Sequence, residues 1–406
     1  MEIELKKIEG GITAISGVKA AGISSGLKKN SGKDLALVYL PYPAPCAGVF
    51  TTNAFKAAPL QVTEKRLKDP VRALIVNSGN ANACTGDRGL EDARETARIV
   101  ANCLKLRPEE VLVSSTGVIG QYLPMEKIAP GIEKAVSALS PSGGGDAARA
   151  IMTTDTFPKE RAYLVSPRGK EHLSFKIAGM AKGAGMICPD MATMLAFLFT
   201  DLPLEKGFLQ DALREAVRRS FNVISVDGDT STNDMALLFS CGGAKKLPEN
   251  DENILKEAFR QGLLHLCRQL AIDLVRDGEG ASKVIHLTVK GASDYASARK
   301  IARAVLNSPL VKTAFFGEDA NWGRIITAMG YSGVDFKPHL VDVFLGDLQV
   351  AAAGKGLAFD EERAREILHK TEIYVLVRLH MGNEELAAWG CDLSYDYIKI
   401  NSSYRS

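Results

Sequence analysis

One stretch of this chain of 406 residues constrains its fold more than any other: KGAGMICPDMATMLAFLF, Lys182 to Phe199. Its first half is polar and irregular, with Gly183 and Gly185 loosening the backbone and Pro189 stiffening it. From Thr193 onward the chain becomes apolar with no intervening turn. A β-branched residue opening an unbroken apolar run reads as the start of a buried strand. The fold must therefore bring a glycine- and proline-rich loop directly onto its own core.

The rest of the chain mixes helix-like and strand-like runs in no strict alternation. DLALVYL (34–40), RALIVNSG (72–79), EVLVSSTG (110–117) and EIYVLVRLHMG (372–382) read as strands, and 162–180 reads as a hairpin around Pro167, Arg168 and Gly169. Apolar stripes at helical spacing cover 89–106, 204–221 and 254–277. A helix over 125–139 is expected to be interrupted at Pro130, and one over 293–308 to start from Ser293 as N-cap. PSGGGDA (141–147) reads as the most flexible part of the first half. No internal repeat is visible. The class is α+β or mixed α/β, in two domains or one large intertwined one.

Composition excludes several functions. Apolar content of 46% and charge of 24% are ordinary globular values, and a formal charge of +2 without a Lys/Arg block argues against nucleic-acid or polybasic membrane binding. The opening MEIELKKIEGG lacks the apolar core of a signal peptide, and no apolar run approaches the ~20 residues that span a bilayer, so a cytoplasmic protein is expected. Seven scattered cysteines without a CxxC pair suit reduced core residues, and six histidines without HxH or HExxH spacing suggest no metal.

Six stretches are dense in Gly, Asn, Thr, Ser and acids: 77–86, 114–120, 152–156, 226–234, 276–283 and 315–323. Such stretches are loop material in any protein, and functional loops are built from it. A phosphate loop fails, because AAAGKGLA has no glycine five residues before Gly354; Gly183-Ala-Gly185 lacks the third glycine of a dinucleotide fingerprint. No GxSxG elbow exists, and histidines in LLHL and VIHL read as packed imidazoles. A hydroxyl nucleophile without histidine remains. Cutting the chain before Thr193 would give that threonine its own α-amine as base, titrating unperturbed near ~7.7–8. Lys182, close in sequence, would lower that value by like-charge repulsion. On the residues alone, Thr193 as a plain strand-opening residue stands beside this reading.

The segment KGAGMICPDMATMLAFL resembles the cleavage segment of the ornithine acetyltransferase family, the ArgJ-type enzymes of arginine biosynthesis. NSGNANACTG, SSTGVIG, VDGDTSTND, RDGEGASK, FFGEDANWGR and the ending WGCDLSYDYIKINSSYRS resemble that family's blocks in the same order, covering the chain from about residue 46 to its end. The resemblance implies an α+β fold in which helices flank a sandwich of two β layers, shared with self-cleaving aminopeptidases of the DmpA type. It implies cleavage between Ala192 and Thr193 into an α chain (1–192) and a β chain (193–406), assembled as two of each. Thr193 would be the nucleophile and Thr116 with Gly117 the oxyanion hole. Thr153, Lys182, Thr193, Glu279, Asn401 and Ser406 would bind substrate, Thr153 being one of three threonines in MTTDT. The implied reaction moves acetyl from N2-acetylornithine to glutamate with no metal or cofactor. Some members also take acetyl from acetyl-CoA, and no motif decides for or against that donor here. The chain departs from the family at Ser406, where threonine is usual, and at Cys188-Pro189-Asp190, where many members have His-Pro-Asn. Two other readings stand beside the transferase: an N-terminal-threonine amidohydrolase or aminopeptidase on the same scaffold, and a non-catalytic amino-acid-binding protein.

Overall fold

The computed structural model describes residues 1–29, 31–188, 194–243 and 246–403. Two sheets lie face to face. The first has six strands in the order Ile3–Lys7, Lys159–Pro167, Phe175–Lys182, Leu195–Thr200, Met235–Ser240 and Cys46–Phe50. The second has four: Lys19–Ile23, Leu35–Ala44, Val71–Asn80 and Val111–Val118. Alternating side chains explain the long apolar runs. Phe197 and Phe199 face the four-stranded sheet, while Ala196 and Leu198 face the helices behind, so both faces of this strand are buried. Phe199 stacks on Phe239 of the neighbouring parallel strand, with ring centroids 4.7 Å apart.

Helices Gly86–Leu104 and Met125–Ser137 cover the outer face of the four-stranded sheet through Ala93, Ala97, Val100, Ile128 and Ile132. Helices Lys206–Arg218 and Glu252–Arg276 cover the six-stranded sheet on its other side. The expected helix-flanked β sandwich is present. Beyond those helices lies a third sheet of seven strands, centred on Val284–Ala292 and Glu372–Arg378, which pair in parallel. Among the described residues no helix is long and apolar enough to cross a membrane.

The segments 1–192 and 193–406 do not occupy separate bodies. Leu195–Thr200 and Met235–Ser240 sit inside the six-stranded sheet, bordered by Phe175–Lys182 on one side and Cys46–Phe50 on the other. The six-stranded sheet is complete only with strands from both segments.

Three local expectations are corrected. The helix Met125–Ser137 continues through Pro130. The lost N–H falls near the helix start on an exposed face, where water can serve the freed carbonyl, and buried Ile128, Ile132 and Ala135 hold the helix together. Asp294, not Ser293, caps the helix Tyr295–Asn307, accepting from the Ser297 N–H at 2.8 Å, while the Ser293 hydroxyl donates to Asp294. PSGGGDA is not a flexible spacer. Its glycines permit close backbone contact: a Cβ on Gly143 would lie 1.9 Å from the Ala20 carbonyl oxygen. Paired 3.0 Å hydrogen bonds between Ala20 and Ser140 hold the segment on the strand. Gly143→Ala is therefore expected to cost on the order of 1–3 kcal/mol in thermal or denaturant unfolding, because backbone atoms must separate. An unchanged midpoint would mean that this contact is loose.

Candidate active site at the meeting of two sheets

One cavity gathers residues from both halves of the chain. The six-stranded sheet presents the end where Lys182 leaves one strand and where Leu195 and Met235 begin the two parallel ones. The four-stranded sheet presents Thr116 and Gly117, near the end of Val111–Val118. The cavity between them is lined by Thr116, Gly117, Thr153, Lys182, Glu279 and Asn401. Thr154, Met194, Leu195 and Ser231 to Asp234 complete much of its wall. Ala192, Thr193 and Ser406 lie outside the described residues, as do Pro189 and Asp190.

Each lining residue is held by a distinct device. Gly117 has φ +131°, and Gly79, opposite it on the parallel strand Val71–Asn80, has φ +104°. The register slips at Gly79 and Asn80, a local irregularity at the end of the strand pair where Thr116 and Gly117 line the cavity. Lys182 is buried, and its ammonium donates to the Thr116 hydroxyl at 3.3 Å. Burial lowers the Lys182 pKa, with the Lys159 ammonium pushing the same way; Asp155, Asp234 and Glu279 oppose both. Glu279 follows the end of the long helix Glu252–Arg276, and its N–H donates to Ala184 O at 2.9 Å. Its carboxylate accepts from the Asn401 side chain at 2.8 Å and lies so near Gly185 that a Cβ there would fall 2.4 Å from it. Gly185 thus makes room for an acid.

The threonines of MTTDT divide. Thr153 and Thr154 line the cavity, whereas Thr156 gives its N–H and hydroxyl to Asp277. Thr153 is backed by Asp155, which accepts its N–H at 2.8 Å.

Several residues here escaped the sequence reading, which flagged 226–234 without choosing within it. Asn233 spans the sheets, donating to Ala81 O at 2.6 Å and Ser115 O at 2.8 Å, which fixes the strand carrying Thr116. Asp234 is 2% exposed, with one carboxylate oxygen lacking a protein partner. Burial pushes its pKa well up, against the pull of Lys182. Asp227 accepts the Met186 and Ile187 N–H groups at 2.6 and 2.9 Å, anchoring the segment that leads to the strand at Leu195. The available signal was the repeated pattern: TSTND runs straight into MALLFS as the earlier loop runs into MLAFLF.

A family model described as the ArgJ family matches residues 19–406. The arginine biosynthesis bifunctional protein ArgJ of Symbiobacterium thermophilum is 51% identical over 402 residues, covering 98% of this chain and 99% of that one. The protein of the same name from Caldanaerobacter subterraneus is 47% identical, with 98% and 99% coverage. The solved structure of an ornithine acetyltransferase from Mycobacterium tuberculosis, complexed with ornithine, is 42% identical; the match covers 47% of this chain and 100% of that one at a TM-score of 0.43. Matched by the family model over residues 19–406 and by these two bifunctional proteins over 98% of its length, this chain belongs to the ArgJ family.

Proposed function

We propose that the chain is a glutamate N-acetyltransferase of arginine biosynthesis, transferring acetyl from N2-acetyl-L-ornithine to L-glutamate through an acyl-Thr193. Before turnover it cuts itself between Ala192 and Thr193, giving chains 1–192 and 193–406 that stay together as two of each. One observation carries the reading. Thr116, Gly117, Thr153, Lys182, Glu279 and Asn401, scattered over most of the sequence, line one cavity together with Met194, the residue directly after Thr193.

In the cut, the Thr193 hydroxyl oxygen bonds to the Ala192 carbonyl carbon and the peptide C–N bond breaks. The hydroxyl proton passes to the departing α-amine, and water then hydrolyses the resulting ester, freeing the Thr193 hydroxyl and the Ala192 carboxyl group. In turnover that amine takes the hydroxyl proton while the threonine oxygen bonds to the acetyl carbon. The Gly117 N–H and Thr116 hydroxyl donate to the oxyanion, and Lys182, donating to Thr116 at 3.3 Å, leaves that hydroxyl's hydrogen free for the task. Collapse breaks the acetyl C–N bond, and the proton leaves with ornithine. The glutamate amine then attacks the ester and restores Thr193. Glu279 suits the side-chain ammonium of ornithine and Lys182 a carboxylate.

The test is acetyl transfer by purified protein. Acetylornithine alone should acetylate the fragment that begins at Thr193 and release ornithine once; glutamate should discharge it as N-acetylglutamate. Continuous acetate release without glutamate would replace the transferase by a hydrolase, and an uncut, inert chain would favour an amino-acid-binding protein. Acetyl-CoA in place of acetylornithine tests the second donor that the relatives' word "bifunctional" suggests.

A further inference from the structure

Lys159 is 1% exposed, and its side chain has no solvent contact at all. Its ammonium lies 2.6 Å from Asp155 Oδ1 and 2.5 Å from Asp277 Oδ2, and 5.0 Å from the centroid of the Phe157 ring. Desolvating three ions costs several kcal/mol per ion, and the attraction repays this only when their remaining hydrogen-bonding capacity is met. Here it is met by the backbone of the cavity walls. Asp155 accepts the Thr153 N–H at 2.8 Å and the Gly183 N–H at 2.7 Å. Asp277 accepts the Thr156 N–H at 2.9 Å and its hydroxyl. One ammonium thus ties together the 153–156 loop, the end of the strand at Lys182, and the helix terminus two residues before Glu279. Each of these segments delivers residues to the cavity, among them Thr153, Lys182 and Glu279, yet Asp155, Lys159 and Asp277 do not line it.

We propose that Lys159, gripped by Asp155 and Asp277, is a positioning residue that holds Thr153, Lys182 and Glu279 in mutual register across the boundary between the 1–192 and 193–406 segments. The role rests on the reading that these three hold substrate. The arrangement also has an electrostatic signature. The charged groups acting on Lys182 are Asp155, Lys159, Asp234 and Glu279, with Lys28 on the loop beside Gly79. The grip keeps the Asp155 carboxylate ionised: burial would raise its pKa, but the Lys159 and Lys182 ammoniums bring it to about 2.

Two near-isosteric variants then act on Lys182 in opposite directions. Lys159→Met removes a like charge and frees Asp155 for Lys182, so the Lys182 midpoint should rise. Asp155→Asn removes an attracting charge, so it should fall. A residue that merely fills space would loosen the same cavity in both variants and move both midpoints toward the solvent value, upward.

The experiment follows the Lys182 Cε resonance in 13C-lysine-labelled full-length protein against pH, with Lys182→Arg assigning the signal. KM and kcat for acetyl transfer are measured alongside. Opposite midpoint shifts, with KM raised roughly tenfold and kcat changed less, are expected. Shifts of the same sign, or none, overturn the proposal. If Lys159→Met does not fold, Asp155→Asn decides alone, since only a fall agrees with the grip. A wild type that transfers no acetyl defeats the substrate reading, while the titration still tests the grip.

Discussion

Thr193→Ala is expected to remain one chain of about 43.7 kDa under denaturing conditions, whereas the wild type should run as two fragments meeting at Ala192 and Thr193. Transfer should fall by a factor on the order of 10⁶, the scale on which enzymes with a hydroxyl nucleophile lose turnover when that group is removed. Both losses have one cause, because the same oxygen would attack the Ala192 carbonyl once and the acetyl carbon in every later cycle. The fold should survive. The strand Leu195–Thr200 keeps its partners on both sides, and the Met235 N–H still donates to Met194 O at 2.9 Å. Unfolding temperatures of the variant and of uncut wild type should therefore be close, which separates lost chemistry from lost structure. Thr193→Ser supplies the complementary control: it keeps the oxygen and drops a methyl, so cutting should persist at an altered rate. A Thr193→Ala protein that is processed and active would remove this residue from both roles.

The architecture was legible where a single strand carried its own signal. RALIVNSG and EVLVSSTG appear as Val71–Asn80 and Val111–Val118, and the hairpin around Pro167 joins Lys159–Pro167 to Phe175–Lys182. The plunge from a polar loop into MLAFLF proved to be a strand buried on both faces, which suits an unbroken apolar run opened by a β-branched residue. Contacts between distant segments were not legible. Nothing in the sequence says that Lys159 meets Asp277, or that the Asn233 amide reaches the carbonyls of Ala81 and Ser115. The glycines of PSGGGDA misled for a related reason: glycine marks close approach as readily as freedom, and only the partner backbone at Ala20 distinguishes them. The cavity residues themselves came from resemblance, block by block. Where a block held several candidates of one type, as in MTTDT, it took the fold to divide them.

Gly117→Ala should slow self-cleavage and transfer together, with kcat lower by at least ~10²–10³, the usual cost of one oxyanion donor. The geometry sharpens that expectation. A Cβ on Gly117 would sit 2.4 Å from the Gly79 carbonyl carbon and 2.5 Å from the Asn80 nitrogen, both backbone atoms of the neighbouring strand. At φ +131° an alanine is strained even before that overlap. Relief requires either a flip of the 117 backbone or separation of the two strands, and both would displace the 117 N–H from the place where the proposed mechanism needs it. A stability loss on the order of 1–3 kcal/mol should accompany the change. Gly120→Ala is the matching control. That residue also has positive φ, +79°, yet a Cβ there would meet nothing within 4 Å. It should lose some stability and keep its kcat. If both variants lost activity in proportion to stability, the defect would be general. If Gly117→Ala kept wild-type rates of cutting and transfer, its N–H would not be the donor, and the oxyanion would have to be held by Thr116 and the adjacent Lys182 ammonium alone.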